Sequence, residues 1–237
     1  MTVAKNTILR RIKPMKENKL LRGLCVLTAA LMLGLTGCAS SSDTNGSDAQ
    51  SQADTAEVQS AWTELDQTTI TKEMGMGWNL GNQLEASNAG IPSETTWGNP
   101  TISEDLIKAV KEQGFKTIRI PVSYLDKIGA APDYTIDSAW LDRVQEVVDY
   151  VVGNDLYAII NIHGDGYYTV DKSWLRCVDD NQDEIKDKYE KVWAQIADRF
   201  KDYDQHLIFE SMNEESDNTY GKPNATGYEN INAYNQI

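Results

Sequence analysis

The chain has 237 residues, enough for one sizeable domain, and its apolar and charged contents are ordinary for a globular protein. Its formal charge is −14, but residues 1–37 hold seven basic side chains and one acid, a balance of +6 that leaves −20 on the remainder. So acidic a body repels phosphate backbones, which excludes nucleic acid as the expected partner and suits a neutral substrate.

The first segment is a targeting signal rather than part of the fold. Basic residues run from Lys5 to Arg22, and an apolar run follows from Leu24 to Leu35. A membrane span needs roughly 20 such residues, and this run is too short. Leu35-Thr36-Gly37-Cys38 then resembles the lipobox of bacterial lipoproteins. The expectation is a signal peptide over 1–37, removed so that Cys38 is acylated and tethers an extracellular, cell-surface protein to the membrane. Cys25 leaves with the signal, which strands Cys177 without an intrachain disulfide partner. It is read as a buried or loop thiol rather than a nucleophile. Residues 38–61 form a linker: after Cys38 they are rich in Ser, Asp, Gln, Ala and Thr, with no aromatic side chain before Trp62. The folded body is expected over 62–237.

There a rhythm of elements begins. Met74–Leu80 is a short apolar run ending in Gly and Asn. Ser103–Gln113 has helical spacing, with Ile102, Leu106, Ile107 and Val110 on one side, Ser103 as N-cap and Gly114 as terminator. Thr117–Val122 is a predicted strand and Ser138–Val152 a helix. Leu156–Ile162 is a strand, Asp183–Phe200 a helix and Leu207–Met212 a strand. A last helix is predicted to open near Tyr228 and to run to the end of the chain. Strand and helix thus alternate about four times, with strands apolar on both faces, which means a parallel sheet under helices. A doubly wound sheet and a TIM (β/α)8 barrel both fit that count. The polar residues decide for the barrel: Asn79, Asn82, Arg119, His163, Asn213 and Glu214 lie in or near the C-terminal ends of successive strands. The first strand also lacks a Gly-rich phosphate loop. Four units are half of a barrel, so the chain is expected to be the N-terminal half of a larger domain.

The chemistry centres on Leu207-Ile208-Phe209-Glu210-Ser211-Met212-Asn213-Glu214. An apolar strand ending in Asn-Glu presents an amide beside a carboxyl at the barrel mouth. Glycoside hydrolysis needs a carboxylic acid to protonate the leaving oxygen, and an apolar surrounding keeps that proton on. The amide can serve the sugar 2-hydroxyl, a contact that strengthens in the transition state. Glu210 is expected to pair with Arg119 inside the barrel, since a buried guanidinium needs a carboxylate. His163 precedes Gly164-Asp165-Gly166 at a strand end and is a candidate sugar contact, whereas His206 sits at the opposite end and is read as structural. No cluster has metal-ligand spacing, and no cofactor is implied. Flat aromatic faces for sugar are available from Trp78, Trp97, Tyr124, Tyr167, Tyr168, Trp174 and Tyr220, all at strand ends or in loops. Trp140 and Trp193 lie on helices and are read as core. The expected substrate-binding set is Asn79, Trp78, Asn82, Tyr124, Trp97 and Tyr167.

Four stretches in order, Gly77-Trp78-Asn79-Leu80-Gly81-Asn82, Gly114 to Val122 (GFKTIRIPV), Ile160-Asn161-Ile162-His163 and Phe209 to Glu214 (FESMNE), resemble glycoside hydrolase family 5, over about residues 62–237. The members most similar are bacterial endo-β-1,4-glucanases acting on cellulose, mixed-linkage glucan or xyloglucan. The resemblance implies a TIM barrel and a retaining mechanism. In it Glu214 matches the acid/base and Asn213 the residue at the 2-hydroxyl. Arg119 and His163 match the supports of the site. It also implies a nucleophilic Glu on the seventh strand, beyond Ile237, so that this chain alone is expected to lack normal glycosidase activity. Two positions depart from the family pattern: Gly164 stands where many members have a second His, and Glu215 where many have Pro. Mannanase or another β-glycanase activity is the near alternative. A non-catalytic polysaccharide-binding protein on the same scaffold is the distant one. The expected partner is a β-glucan polysaccharide, and the protein is expected to act as a monomer.

Overall fold

The computed structural model describes residues 66–215 and 224–237. The expected signal peptide and linker, with Cys38, Trp62 and Tyr220, lie outside the described residues. Helix α1 spans Gln67–Met74 and strand β1 Gly77–Asn79. The small hairpin strands β2 (Ser87–Asn88) and β3 (Ile91–Pro92) follow. Then come α2 (Glu104–Glu112), β4 (Thr117–Ile120), α3 (Ser138–Val152), β5 (Tyr157–Asn161), α4 (Gln182–Phe200), β6 (Leu207–Glu210) and α5 (Ala225–Tyr234). Among the described residues no helix is long and apolar enough to cross a membrane.

The four main strands are parallel, and their order in the sheet, β1-β4-β5-β6, is their order in the chain. A doubly wound sheet reverses strand order at a switch point. This sheet does not, and it is the arc of a barrel. Strand alternation divides its residues between two faces. The register pairs Trp78 with Ile118 and Asn79 with Arg119, and later Asn161 with Glu210. One face therefore carries Asn79, Arg119, Asn161 and Glu210. The other carries Ile118, Ile120, Ala158 and Ile160, all buried beneath the helices with Ile107, Val144, Val147, Val148 and Val151. Each fully buried aliphatic side chain contributes about 1.5–3 kcal/mol relative to exposure, so this layer anchors the strands whose ends carry the polar groups.

The helices start where their caps direct. Ser103 Oγ accepts from the Leu106 amide at 3.3 Å, and Gly114 closes α2 at φ +93, a conformation glycine adopts without strain. Asp137 caps α3 by accepting from Ala139 and Trp140. Helix α1 was not anticipated from the sequence, because none of its residues is buried and no apolar stripe marks it. The strand expected within Met74–Leu80 is only Gly77–Asn79. Helix α5 opens at Ala225 behind its cap Asn224 and closes at Tyr234 rather than continuing to the end.

Two expected sugar contacts are corrected by the sheet geometry. Trp78 shares its face with Ile118 and packs against the core, on the side away from Arg119. Tyr124 is 0 % exposed, with a hydroxyl that is shielded and unpartnered. Neither ring can stack on a ligand at the strand ends. Cys177 is buried, as read from the sequence. His206 stacks on Tyr157 and bonds Asp204, far from the strand C-termini.

Candidate active site

Arg119 organises the inner face. Its Nε donates to Glu210 Oε2 at 2.7 Å and its Nη2 to Glu210 Oε1 at 2.5 Å, a two-point clamp across the sheet. Nη2 also donates to Asn213 Oδ1 at 2.8 Å, and Nη1 to Asn79 Oδ1 at 3.0 Å. One guanidinium thus ties the ends of β1 and β6 through its own strand β4, using the rigid fork that lysine lacks. Asn161, at the end of β5, adds a fourth strand by donating to Glu210 Oε1 at 2.8 Å. Partial burial pushes the Glu210 carboxyl up, but the bonds from Arg119 and Asn161 outweigh it and hold the group below the usual carboxylate range. Glu210 is therefore an ionised counter-charge in a structural network.

Asn213 and Glu214 follow β6 directly. The Asn213 amide donates to the Ile162 carbonyl at 3.0 Å, which stitches this segment to the end of β5. Glu214 sits in the left-handed region at φ +49, an uncommon conformation for a residue with a side chain. There its carboxyl emerges into solvent while Asn213 stays 8 % exposed. Tyr167, from the loop after β5, joins the pair. Its hydroxyl donates to Glu214 Oε2 at 2.8 Å and accepts from Asn213 Nδ2 at 2.7 Å. The sequence offered Tyr167 as one of several candidate sugar contacts; the structure makes it a hydrogen-bonding partner of both polar residues. The apolar enclosure expected around Glu214 is not built by the described residues, since its side chain is exposed.

His163 stands beside this cluster, with Nδ1 3.5 Å from Asn161 Nδ2. Burial, assisted by the Arg119 charge and opposed by nearby carboxylates, holds its imidazole below the ordinary range, so it is neutral near pH 7. It lines a cleft of about 150 Å³ together with Asn82, Glu85, Trp97, Gly164 and Tyr167. Trp97 is 55 % exposed, and its Nε1 donates to the Ser87 carbonyl at 3.0 Å, so an indole face is held open beside the cleft. Exposed flat rings next to convergent polar groups suit a sugar.

Glu85 was missed by sequence reasoning. Its carboxyl accepts the amides of Asn82 at 2.5 Å and Gln83 at 2.9 Å and so shapes the turn after β1. An acid three residues after Asn82 was the available signal, of the kind that caps a tight turn. Tyr168 and Trp174 are engaged elsewhere: Tyr168 donates to Asp179 and Trp174 to Asp165. Trp140 is buried in the core, whereas Trp193 lines an outer groove beside Phe209. Among the described residues no group of three His, Cys, Asp or Glu side chains could hold a metal ion.

The chain matches the cellulase (glycosyl hydrolase family 5) model over residues 81–237. It belongs to glycosyl hydrolase family 5. Endoglucanase A of Paenibacillus barcinonensis is 60 % identical over 168 residues, covering 71 % of this chain and 42 % of that protein. The structure of a family 5 xyloglucanase from Paenibacillus pabuli, in complex with ligand, matches with a TM-score of 0.69 and 62 % identity, over 70 % of this chain and 46 % of that one. A broad-specificity family 5 endoglucanase from Ruminococcus champanellensis with bound cellotriose gives a TM-score of 0.68 at 41 % identity, over 74 % and 52 %. The chain thus spans about half or less of the length of these family 5 relatives. Its four parallel strands are part of the (β/α)8 barrel of the family.

Proposed function

We propose that this chain supplies the proton-donating half of a retaining endo-β-1,4-glucanase active site. The observation that carries the reading is the Tyr167–Glu214–Asn213 constellation at the strand C-termini, held by Arg119. Tyr167 occupies Oε2 of Glu214, which leaves Oε1 to carry the proton that the leaving glycosidic oxygen takes. Asn213 offers the second N–H of its amide to the sugar 2-hydroxyl, with its oxygen fixed by Arg119. The exposed Trp97 face and the cleft beside His163 receive glucose units adjoining the cleaved bond.

Retention requires a second carboxyl roughly 5–5.5 Å from the first, acting as nucleophile. Glu210 does not fill that role, because Arg119 and Asn161 occupy both its oxygens. The nucleophile is assigned to sequence beyond Ile237, and the 42 % coverage of endoglucanase A is consistent with that. The substrate is a β-1,4-glucan. Xyloglucan is the first candidate, because the Paenibacillus pabuli xyloglucanase is 62 % identical over its matched part. The sequence around Cys38 supports a lipid-anchored enzyme at the outer membrane face, working as a monomer.

The test is reducing-sugar release from xyloglucan, carboxymethyl-cellulose and mannan by the complete protein. Release from either glucan at well above the mannan rate supports the reading; preference for mannan moves the protein to another β-glycanase activity. In the same assay Tyr167→Phe removes the hydrogen bonds to Glu214 and Asn213, and kcat should fall by about tenfold, the loss of roughly one charge-assisted hydrogen bond. An unchanged kcat would show that Tyr167 does not orient the acid.

A further inference from the structure

Glu215 follows the proposed acid directly, yet its side chain turns inward. Its Oε2 is shielded from solvent and has no hydrogen-bond partner. A shielded carboxyl oxygen without a partner is costly, so its position calls for a reason. Its carboxyl lies against the backbone of Gly166: a Cβ built there would stand 1.8 Å from Oε2 and 2.4 Å from the carboxyl carbon. A side chain at position 166 would displace the Glu215 carboxyl from this seat. The next residue is Tyr167, whose hydroxyl holds Glu214 and Asn213. Glu214 and Glu215 thus grip the same loop at adjacent residues, one by a hydrogen bond from Tyr167 and the other by contact with Gly166.

We propose that Glu215 is a positioning residue, whose carboxyl seated against Gly166 fixes the loop after β5 so that Tyr167 meets Glu214. This rests on the reading of Glu214 as the proton donor. Among the described residues, the titratable groups facing Glu215 are Asp165 and Tyr167 of that loop, Tyr189 of α4 and Tyr234 of α5. None of the four is a cation. Burial first, and Asp165 second, push the Glu215 carboxyl up to about 9. An unfolded glutamate ionises near ~4.3, so the folded protein keeps a proton that the unfolded chain releases across that window. Stability from this group is accordingly full in acid and is lost as pH rises through the window. Glu215→Gln, which cannot ionise, should flatten the decline of Tm between those pH values.

The decisive test separates positioning of the acid from general damage. In the complete protein, Glu215→Ala should lower kcat on the glucan by about tenfold or more with KM within about threefold. On an aryl β-cellobioside with a dinitrophenolate leaving group, which departs without a proton, kcat/KM should change by less than about threefold. Glu215→Gln keeps the shape and should remain within about threefold of the parent on both substrates. Equal losses on both substrates, or no loss on either, overturn the proposal. Where Glu215→Ala does not fold, Glu215→Asp, which withdraws the carboxyl by one methylene, is read by the same two rates. Glu214→Gln run alongside keeps the two ideas apart. If it abolishes glucan cleavage while the Glu215 variants are unaffected, the positioning role fails and the acid assignment stands. If it keeps full activity, both fail.

Discussion

Arg119→Ala should destabilise the fold by about 2–3 kcal/mol and lower activity at the same time. Breaking a buried ion pair by removing one partner costs about 3–5 kcal/mol, because the other charge is left uncompensated. Here the two side chains are 25 % and 31 % exposed, so water screens part of that penalty and the expected loss falls below that range. The residue left behind is Glu210, which would keep only the bond from Asn161. Asn213 would lose the donor to its Oδ1 and Asn79 its tie to the neighbouring strand. Arg119→Lys restores the charge but not the two-point clamp, and should recover less than half of the loss. The measurement is the urea midpoint of parent, Ala and Lys variants. An Ala variant within about 0.5 kcal/mol of the parent, the range of an ordinary surface substitution, would mean that the network is ornamental.

Glu214→Gln should lower kcat on a glucan polymer by roughly 10²–10⁴-fold, the usual contribution of a positioned general acid. The amide fits the same space and still accepts from Tyr167, so folding and KM should change little. The loss in kcat/KM, which reports the step in which the leaving group departs, should shrink as the leaving group improves, since a phenolate of low pKa departs without protonation. A variant equally impaired on every leaving group would show that Glu214 serves binding or structure instead.

Helix α3 was legible to the residue, 138–152, because its apolar spacing, its Asp137 cap and Gly153 all agree. Helix α1 left no signal, since it buries nothing. The strands were read too long at their C-terminal ends. After Ile120 comes Pro121, which has no amide to give to a ladder, and beyond Glu210 the backbone turns toward the left-handed Glu214. The polar residues of the proposed site were legible because a polar side chain at the end of an apolar strand is conspicuous. Their partners were less so. The Arg119–Glu210 pair was expected, but the links to Asn79 and Asn213 join residues 40 and 94 positions apart and follow from strand order alone. Aromatic residues were the least legible. Trp78 lies within β1 and Tyr124, Trp97 and Tyr167 lie in loops, but which of these rings is turned into the core and which is left open depends on the folded backbone, which composition does not encode. Glu215 was visible as a departure from the family pattern, yet its burial against Gly166 needed the fold.

The most direct test of the central claim is side-by-side hydrolysis of xyloglucan by the complete protein and its Glu214→Gln variant. The account predicts rapid release of reducing ends by the parent and a loss of at least about 10²-fold in the variant. No release by the parent, or a variant within tenfold of it, would contradict the assignment of Glu214 as the acid of a β-glucan hydrolase.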